Sequence, residues 1–363
     1  MRILHVFRSP VGGLFRHVAD LARGQQALGH DVGILCDRQT GGADATAALA
    51  SLEKSCSLGI ARVPISTFPG IGDLAATRKV AAQARTVQAE IIHGHGAKGG
   101  VYARLAAREL KIPGVYTPHG GSLHYDWLRP PGAVFLVAER ALRFKGTALI
   151  FVCEFERALY DRKIGIGPCP AKVVYNGLWP DEFATRTLAS DATDLLFVGE
   201  MRRLKGVDIL LHALAKLPEG QHLSLTLVGE GRDQDAFKQL AIKLGLEQQC
   251  RFVGRKSMAQ AKMMGRVLVI PSRHESFPYV VLEAVAAQIP VIASGIGGIP
   301  EILPPECLVP VEDVTVLARQ LASLALGQIA SVATAQRLQA AAQSKFSVPQ
   351  MSASISAFYQ HLR

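Results

Sequence analysis

The chain has 363 residues, 49% of them hydrophobic and 19% charged, with a net charge of +10. That length is too great for one ordinary domain and comfortable for two, and the composition excludes a disordered chain. No apolar run approaches the roughly 20 residues that span a bilayer, and residues 1–7 read as a first strand rather than an export signal.

The predicted elements alternate from the start. Short β-branched runs at 3–7, 32–36, 91–93, 115–117, 149–152 and 173–175 are each followed by a helix-length segment. After a polar stretch at 179–194 without apolar periodicity, the alternation resumes at 195–198, 223–228, 251–253, 267–270, 291–293 and 308–309. Continuous apolar strands separated by helices describe parallel sheets covered on both faces. Two sets of six indicate two Rossmann-like, doubly wound α/β domains, whereas a single barrel needs only eight units. In open sheets of this kind ligands bind beyond the carboxyl ends of the strands, so the residues after each strand matter most.

Charge and cysteine usage narrow the partners. Residues 1–180 hold 22 Lys and Arg against 13 Asp and Glu, while residues 181–363 hold 18 against 17. A basic first half suits an anionic partner: a membrane surface, a phosphorylated acceptor or nucleic acid. Aromatics are only 6% and no basic cluster is interleaved with them, so nucleic acid is the weakest of the three. The six cysteines lie far apart with no C-x-x-C pair, which indicates neither a zinc site nor a disulfide framework and fits a reducing compartment.

Several post-strand loops carry candidate chemistry. After the strand at 267–270 comes Pro271-Ser272-Arg273-His274-Glu275-Ser276-Phe277-Pro278, then an apolar helix containing Glu283. On a helix starting near Ser276, Glu275 sits at the mouth and Glu283 about two turns in. Backbone N–H groups at a helix start favour an anion, and a carboxylate can accept from a pair of sugar hydroxyls. Lys205 and Arg202 or Arg203 follow the strand at 195–198 and can meet a charged leaving group, Arg as a fork and Lys as a point charge. Gly12 and Gly13 follow the first strand, and His119 follows the strand at 115–117. His93, His95, His124 and His274 are further candidates, but no zinc-ligand spacing emerges. Gly94, Gly96 and Gly99 satisfy G-x-G-x-x-G in a later unit, without the acidic strand end that a dinucleotide site needs. Residues 127–145 mix bulky apolar groups with Arg129, Arg140, Arg143 and Lys145, a composition suited to an anionic leaflet or simply to packing on the sheet.

The Glu275-x₇-Glu283 segment resembles the signature of retaining glycosyltransferase family 4. The other motifs resemble the family's in register: Gly12-Gly13, Thr117-Pro118-His119-Gly120, Tyr175-Asn176-Gly177, Phe197-Val198-Gly199 with Lys205-Gly206, and Gly297-Gly298-Ile299-Pro300-Glu301. The resemblance implies a GT-B fold: an acceptor domain at 1–180, a donor domain at 181–347, a central cleft, and a last helix at 348–363 packing back on the first domain. It further implies transfer of a hexose from a UDP- or GDP-linked donor with retention, to a glycan or polyprenyl-linked acceptor. Bacterial polysaccharide or lipopolysaccharide assembly is the setting it suggests. His119 and Glu275 would flank the reacting centre. Gly12, Gly13, Arg202, Lys205, Ser276, Phe277, Pro278 and Glu283 would hold the donor, with no metal or other cofactor. The expected location is cytoplasmic, with peripheral contact to the inner face of an anionic membrane. Glu200, Pro278 and Gln288 depart from the family pattern, which usually has Arg at the first position, although Gly-Glu-x-Arg-x-x-Lys-Gly also occurs and points to Arg202, and commonly Gly at the other two. A nucleotide-sugar epimerase and a two-domain sugar-binding protein are the alternative readings.

Overall fold

A computed structural model describes residues 1–66, 70, 72–127, 130–144, 146–325 and 332–363. The chain divides into two compact units, Met1–Gly177 with Val348–Arg363, and Leu178–Ser347. Each is built on one all-parallel sheet.

The first unit contains β1 (Arg2–Phe7), β2 (Asp31–Asp37), β3 (Ile60–Val63), β4 (Ile91–His95), β5 (Gly114–Thr117), β6 (Thr147–Phe151) and β7 (Ala171–Val173). Their order across the sheet is β3-β2-β1-β4-β5-β6-β7. Alternation places Leu4 and Val6 of β1 in one hydrophobic cluster with Leu35, Ile92 and Tyr102, while Phe7 joins Val18, Ile34 and Cys36 in another. The sheet is therefore covered on both faces, as its near-continuous apolar strands require. The six expected strands become seven because β3 went unread. It is four half-buried residues with Arg62 among them, hydrogen-bonded to β2 at the sheet edge, so it lacks the apolar run of a central strand. The helix Val348–Gln360 belongs to this unit: the Tyr359 hydroxyl lies 2.5 Å from His93 Nδ1, and Arg363 pairs with Glu90 at 2.5 Å.

The second unit contains β8 (Thr193–Val198), β9 (Leu225–Val228), β10 (Cys250–Phe252), β11 (Gly265–Ile270), β12 (Val291–Ser294) and β13 (Leu308–Val309), in the order β10-β9-β8-β11-β12-β13. Both sheets reverse their winding at the strand pair that flanks the first strand, β1 beside β4 and β8 beside β11. Loops leaving the carboxyl ends of those strands diverge and leave room for a ligand. Gly12, Lys205 and Glu275 all lie in such loops or at the helix start that follows.

All six cysteines are free, and burial raises those whose thiols are perturbed; Cys36 and Cys56 are pushed up to about 12, which keeps them as inert thiols. No described helix is long and apolar enough to cross a membrane.

Candidate functional site

In the second unit, the loops after β8 and β11 meet through an ion pair. Lys205 Nζ lies 2.7 Å from Glu275 Oε1, and the Ser272 hydroxyl donates to the same oxygen at 2.8 Å. The Glu275 side chain is 8% exposed and that of Lys205 27%, so the pair is sheltered yet reachable. Two glycines make the approach of the loops possible. A Cβ on Gly206, whose φ is +72°, would sit 1.9 Å from the Pro271 carbonyl oxygen. One on Gly297, at φ +64°, would sit 2.3 Å from the Glu275 carbonyl oxygen. The Gly298 N–H also donates to the Ser276 carbonyl at 2.6 Å, so three loops converge on Glu275.

The helix after Glu275 starts at Tyr279, with Pro278 as its cap, rather than near Ser276. Glu283 therefore lies about one turn in, half-buried, and not two turns in as expected. Pro278 costs the loop nothing, since the φ there is −75°, the value proline imposes. The Phe277 ring is buried edge-on against Phe346, with ring centres 5.5 Å apart, which leaves the backbone of this residue as the part able to face a ligand. Glu200 lies 3.5 Å from Arg202; both are substantially exposed.

A brace behind this site has little signal in the sequence. Arg273 forks onto Asp208 with both contacts at 2.8 Å, reaches Glu312 at 2.5 Å and donates to the Arg203 carbonyl at 2.6 Å. Burial pushes the Asp208 carboxyl up, but the Arg273 hydrogen bonds and charge hold it below its ordinary value. The available signal was Arg273 itself, an Arg two residues before Glu275.

The first unit brings together His5, His17, His93, His95 and His119, all fully buried except His119. The register of β1 against β4 places His5 opposite His93, and His95 follows two residues on, hence on the same face. His119 reaches this nest from the loop after β5 in a left-handed conformation, φ +52°, uncommon for a residue with a side chain. The loop is held by Glu156, 1% exposed, which accepts from the Gly120 N–H at 2.5 Å and the Val152 N–H at 3.1 Å. Cys153-x-x-Glu156 opens a helix as a cap pair does, a signal that could have found this glutamate. Burial lowers His5 and His17 to about 4 and holds His93, His95 and His119 well below the ordinary histidine value; mutual repulsion adds to this for all but His17. The nest is neutral at pH 7.

His274 is exposed and lies in the second unit; the side chain of His124 falls outside the described residues. Gly12 and Gly13 are exposed at the start of the helix Gly12–Ala27, whose first N–H groups have no side-chain cap. The G-x-G-x-x-G glycines serve packing: a Cβ on Gly99 would lie 2.2 Å from the Val6 carbonyl oxygen of β1.

Beside the nest, the first unit holds a cavity of about 470 Å³ with an apolar wall of Leu14, Val101, Tyr125 and Phe135, and with Arg8 and Lys98 as its basic groups. Lys98 Nζ lies 2.6 Å from Asp73, to which Tyr102 also donates. Burial pushes the Asp73 carboxyl up, and these two hydrogen bonds bring it below its ordinary value. The helix Pro130–Ala141 exposes Val134 and Val137 at 63% and 56%. Of the basic residues expected here to face a leaflet, Arg140 is exposed, whereas Arg143 donates to the Gly165 carbonyl at 2.6 Å and serves the fold. Arg129 and Lys145 lie outside the described residues.

Comparison with known proteins agrees with this architecture. Residues 11–182 match the family described as Glycosyltransferase Family 4, and residues 180–345 match Glycosyl transferases group 1. An uncharacterized glycosyltransferase of Methanocaldococcus jannaschii is 33% identical over 148 residues, covering 36% of this chain and 38% of its own. D-inositol 3-phosphate glycosyltransferase of Frankia alni is 32% identical over 243 residues, 58% of each chain. These matches thus span well under two thirds of either relative. The crystal structure of Anabaena Alr3699/HepE in complex with UDP-glucose superimposes with a TM-score of 0.82 at 22% identity, covering 99% of this chain and all of that one. The likeness assigns the GT-B fold. With both halves of the chain matched in order, the protein belongs to glycosyltransferase family 4.

Proposed function

We propose that the protein transfers a hexose from a nucleotide diphosphate sugar, UDP-linked by preference, to a glycan or lipid-linked acceptor with retention of configuration. The observation that carries this reading is the Lys205–Glu275 pair at 2.7 Å, set at the switch point of the second sheet. A diphosphate leaving group gains negative charge as the glycosidic bond breaks. Lys205 is positioned to meet that charge, and Arg202, half-exposed on the same loop, adds a guanidinium fork. Held in place before reaction, such groups stabilise developing charge far better than water does. These two cations make a metal unnecessary in this scheme. UDP-glucose bound to the Anabaena relative favours UDP over GDP here.

Glu283, one turn into its helix, is assigned to the ribose hydroxyls, and the backbone at Ser276, Phe277 and Pro278 to the donor's pyrophosphate and sugar. Glu275 Oε1 already accepts from Lys205 and Ser272, which makes its carboxylate a hydroxyl acceptor rather than a nucleophile. Retention then follows from front-face attack, with a leaving phosphate oxygen taking the acceptor's proton. His119, neutral and strained toward its histidine neighbours, hydrogen-bonds the donor sugar, and Gly12 and Gly13 offer backbone N–H groups to its phosphates. The 470 Å³ cavity of the first unit suits an acceptor with an apolar portion and an anionic group that meets Arg8 or Lys98. Val134, Val137 and Arg140 are the surface assigned to an anionic leaflet, consistent with a cytoplasmic enzyme acting on a lipid-linked glycan in polysaccharide assembly.

The test is nucleotide release from a panel of UDP- and GDP-sugars in the presence of a chelator, with and without glycan and polyprenyl-linked acceptors. Release that requires an acceptor, keeps the anomeric configuration in the product and is lost in Glu275→Ala is expected. Interconversion of the donor without an acceptor would replace transferase by epimerase, and binding without turnover would remove the enzyme reading. Flotation with anionic liposomes at low salt tests the surface, and its absence would discard membrane contact.

A further inference from the structure

His17, His95 and His119 come from a helix, a strand end and a loop more than 20 residues apart in sequence at their nearest, yet one ring nitrogen of each lies within 4.8 Å of the others. The hydrogen bonds around them decide which nitrogens those are. Gln25 Oε1 can only accept, so His5 Nε2 carries a proton toward it at 2.8 Å and His5 Nδ1 is left as an acceptor. His95 Nε2, 3.0 Å from His5 Nδ1, must then carry the proton between them, and His95 Nδ1 keeps a lone pair. That lone pair faces His119 Nε2 at 3.1 Å. On the other side, His17 Nδ1 donates to Asn176 Oδ1 at 2.9 Å, which leaves a lone pair on His17 Nε2. His17 is fully buried, and its Nε2 has no hydrogen-bond partner.

A buried, unpartnered imidazole nitrogen is costly unless something occupies it. Here it belongs to a set in which two imidazoles already give their outer N–H to a fixed acceptor, the arrangement that orients histidine ligands around metal ions. The neighbouring trio His5, His93 and His95 differs: both nitrogens of His93 are already engaged, by Tyr359 and Thr117. A tetrahedral ion bound to imidazoles at about 2.0–2.1 Å sets its ligand nitrogens about 3.3 Å apart. The His95–His119 separation meets that already, and moving the His119 proton from Nε2 to Nδ1 supplies the third lone pair.

We propose that His17, His95 and His119 form a binding site for one divalent transition ion of the zinc or cobalt class, with Asn176, His5 and Gln25 orienting two of the three ligands. Three neutral nitrogens suit such ions and leave magnesium and calcium, which require oxygen, outside the site. His119, the partly exposed member, marks the side from which an ion enters and on which a fourth ligand sits. Occupancy moves the His119 proton to Nδ1 and reverses the hydrogen bond that this nitrogen can make with the donor sugar, so the ion acts as an inhibitor of transfer rather than a cofactor. That consequence rests on the role given to His119 above; binding itself does not.

Chelator-stripped full-length protein titrated with Co²⁺ tests the site. One ion per chain with a dissociation constant of about 10 μM or tighter is expected, with the intense visible bands of a four-coordinate complex and X-ray absorption counting three imidazoles. His17→Leu should weaken binding by at least about 100-fold, and Asn176→Ala by about 10–100-fold. Unchanged affinity in His17→Leu, or no binding to the wild-type chain below about 1 mM, overturns the proposal. Where His17→Leu fails to fold, the imidazole count on the wild-type complex decides, and fewer than three overturns it. Tight three-imidazole binding that leaves transfer untouched supports the site and counts instead against the role of His119.

Discussion

The two units share one winding of strands and furnish their switch points in opposite ways. In the second unit the polar groups are charged, paired and partly open to solvent: Lys205 with Glu275, and Arg273 with Asp208 and Glu312. In the first unit they are neutral imidazoles around β1, β4 and the loop after β5, four of them buried in the core and His119 partly exposed, while the three histidines of the second unit are exposed. On the function proposed above, one topology serves two tasks. A phosphate-bearing ligand brings its own charge, so its site needs fixed cations that a carboxylate can hold in place meanwhile. A group meant to hydrogen-bond a neutral hydroxyl must not ionise, and burial achieves that at a cost that appears when the pH falls.

That cost is the largest effect the comparison predicts. His5 and His17 are held at about 4 in the folded chain against 6.5 when unfolded. Between those values the unfolded chain binds protons that the folded chain refuses, so stability is complete above about pH 6.5 and is lost as the pH falls toward 4. Each of the two contributes roughly 3 kcal/mol by pH 4, with His93, His95 and His119 acting in the same direction. Urea unfolding in the presence of a chelator, followed by Trp127 fluorescence in a Trp179→Phe background, isolates the first unit. A stability unchanged from pH 7 to pH 4.5 would mean that burial does not hold these imidazoles neutral.

The next effect concerns a buried ion pair of the first unit. Arg104 and Glu139, 0% and 3% exposed, pair at 2.7 Å, with Tyr116 donating to the second carboxylate oxygen at 2.8 Å and the guanidinium lying over the Tyr116 ring at 4.2 Å. Arg104→Leu leaves a buried carboxylate without its cation and should cost about 3–5 kcal/mol, whereas adding Glu139→Leu to it should restore much of the loss. If the double variant proves no more stable than the single one in the same urea assay, the pair is needed for packing and not merely for neutrality.

Activity comes third. Lys205→Met should lower kcat/KM for transfer about 10²–10³-fold, equivalent to about 3–4 kcal/mol, with little change in the melting temperature because the pair is partly solvated. A fall of less than tenfold would mean that the second unit's charges position the donor without stabilising the departing diphosphate.

How much of this could be read from the sequence follows the same division. The strands announced themselves because parallel sheets bury both faces; β3 did not, because an edge strand carrying Arg62 has no such need. The loop positions of Glu275 and Lys205 could be read because each lies between a strand and the helix that follows it, and local order along the chain suffices for that. The histidine nest was not. His93-x-His95 on a strand announces two imidazoles on one face, but nothing along the chain says that His5, His17 and His119 converge there. Arg104 looked like any helical arginine, since only the packed fold shows that its face of the helix Gly96–Leu110 turns inward. Pairing across a sheet and charge neutralisation at a distance are tertiary facts, and they leave no local period to detect.

The smallest effect expected lies at a helix end of the second unit. Gln288, where the family commonly has Gly, ends the helix Tyr279–Ala286 in a left-handed conformation, φ +56°. A side chain there costs about 1–2 kcal/mol relative to glycine. Gln288 recovers part of that by donating to Gln339 at 2.7 Å, and Gln339 in turn donates to the Ala286 carbonyl at 2.6 Å, tying the helix end to the helix Val332–Lys345. Gln288→Gly removes the strain and the hydrogen bond together, so a net gain of up to about 1 kcal/mol is expected in urea unfolding followed by Trp179 fluorescence. Gln288→Ala keeps the strain and loses the bond, and should be less stable than either. If Gln288→Gly were instead the least stable of the three, the Gln288–Gln339 link would outweigh the backbone, and the helix end would be held by its partner rather than by its own conformation.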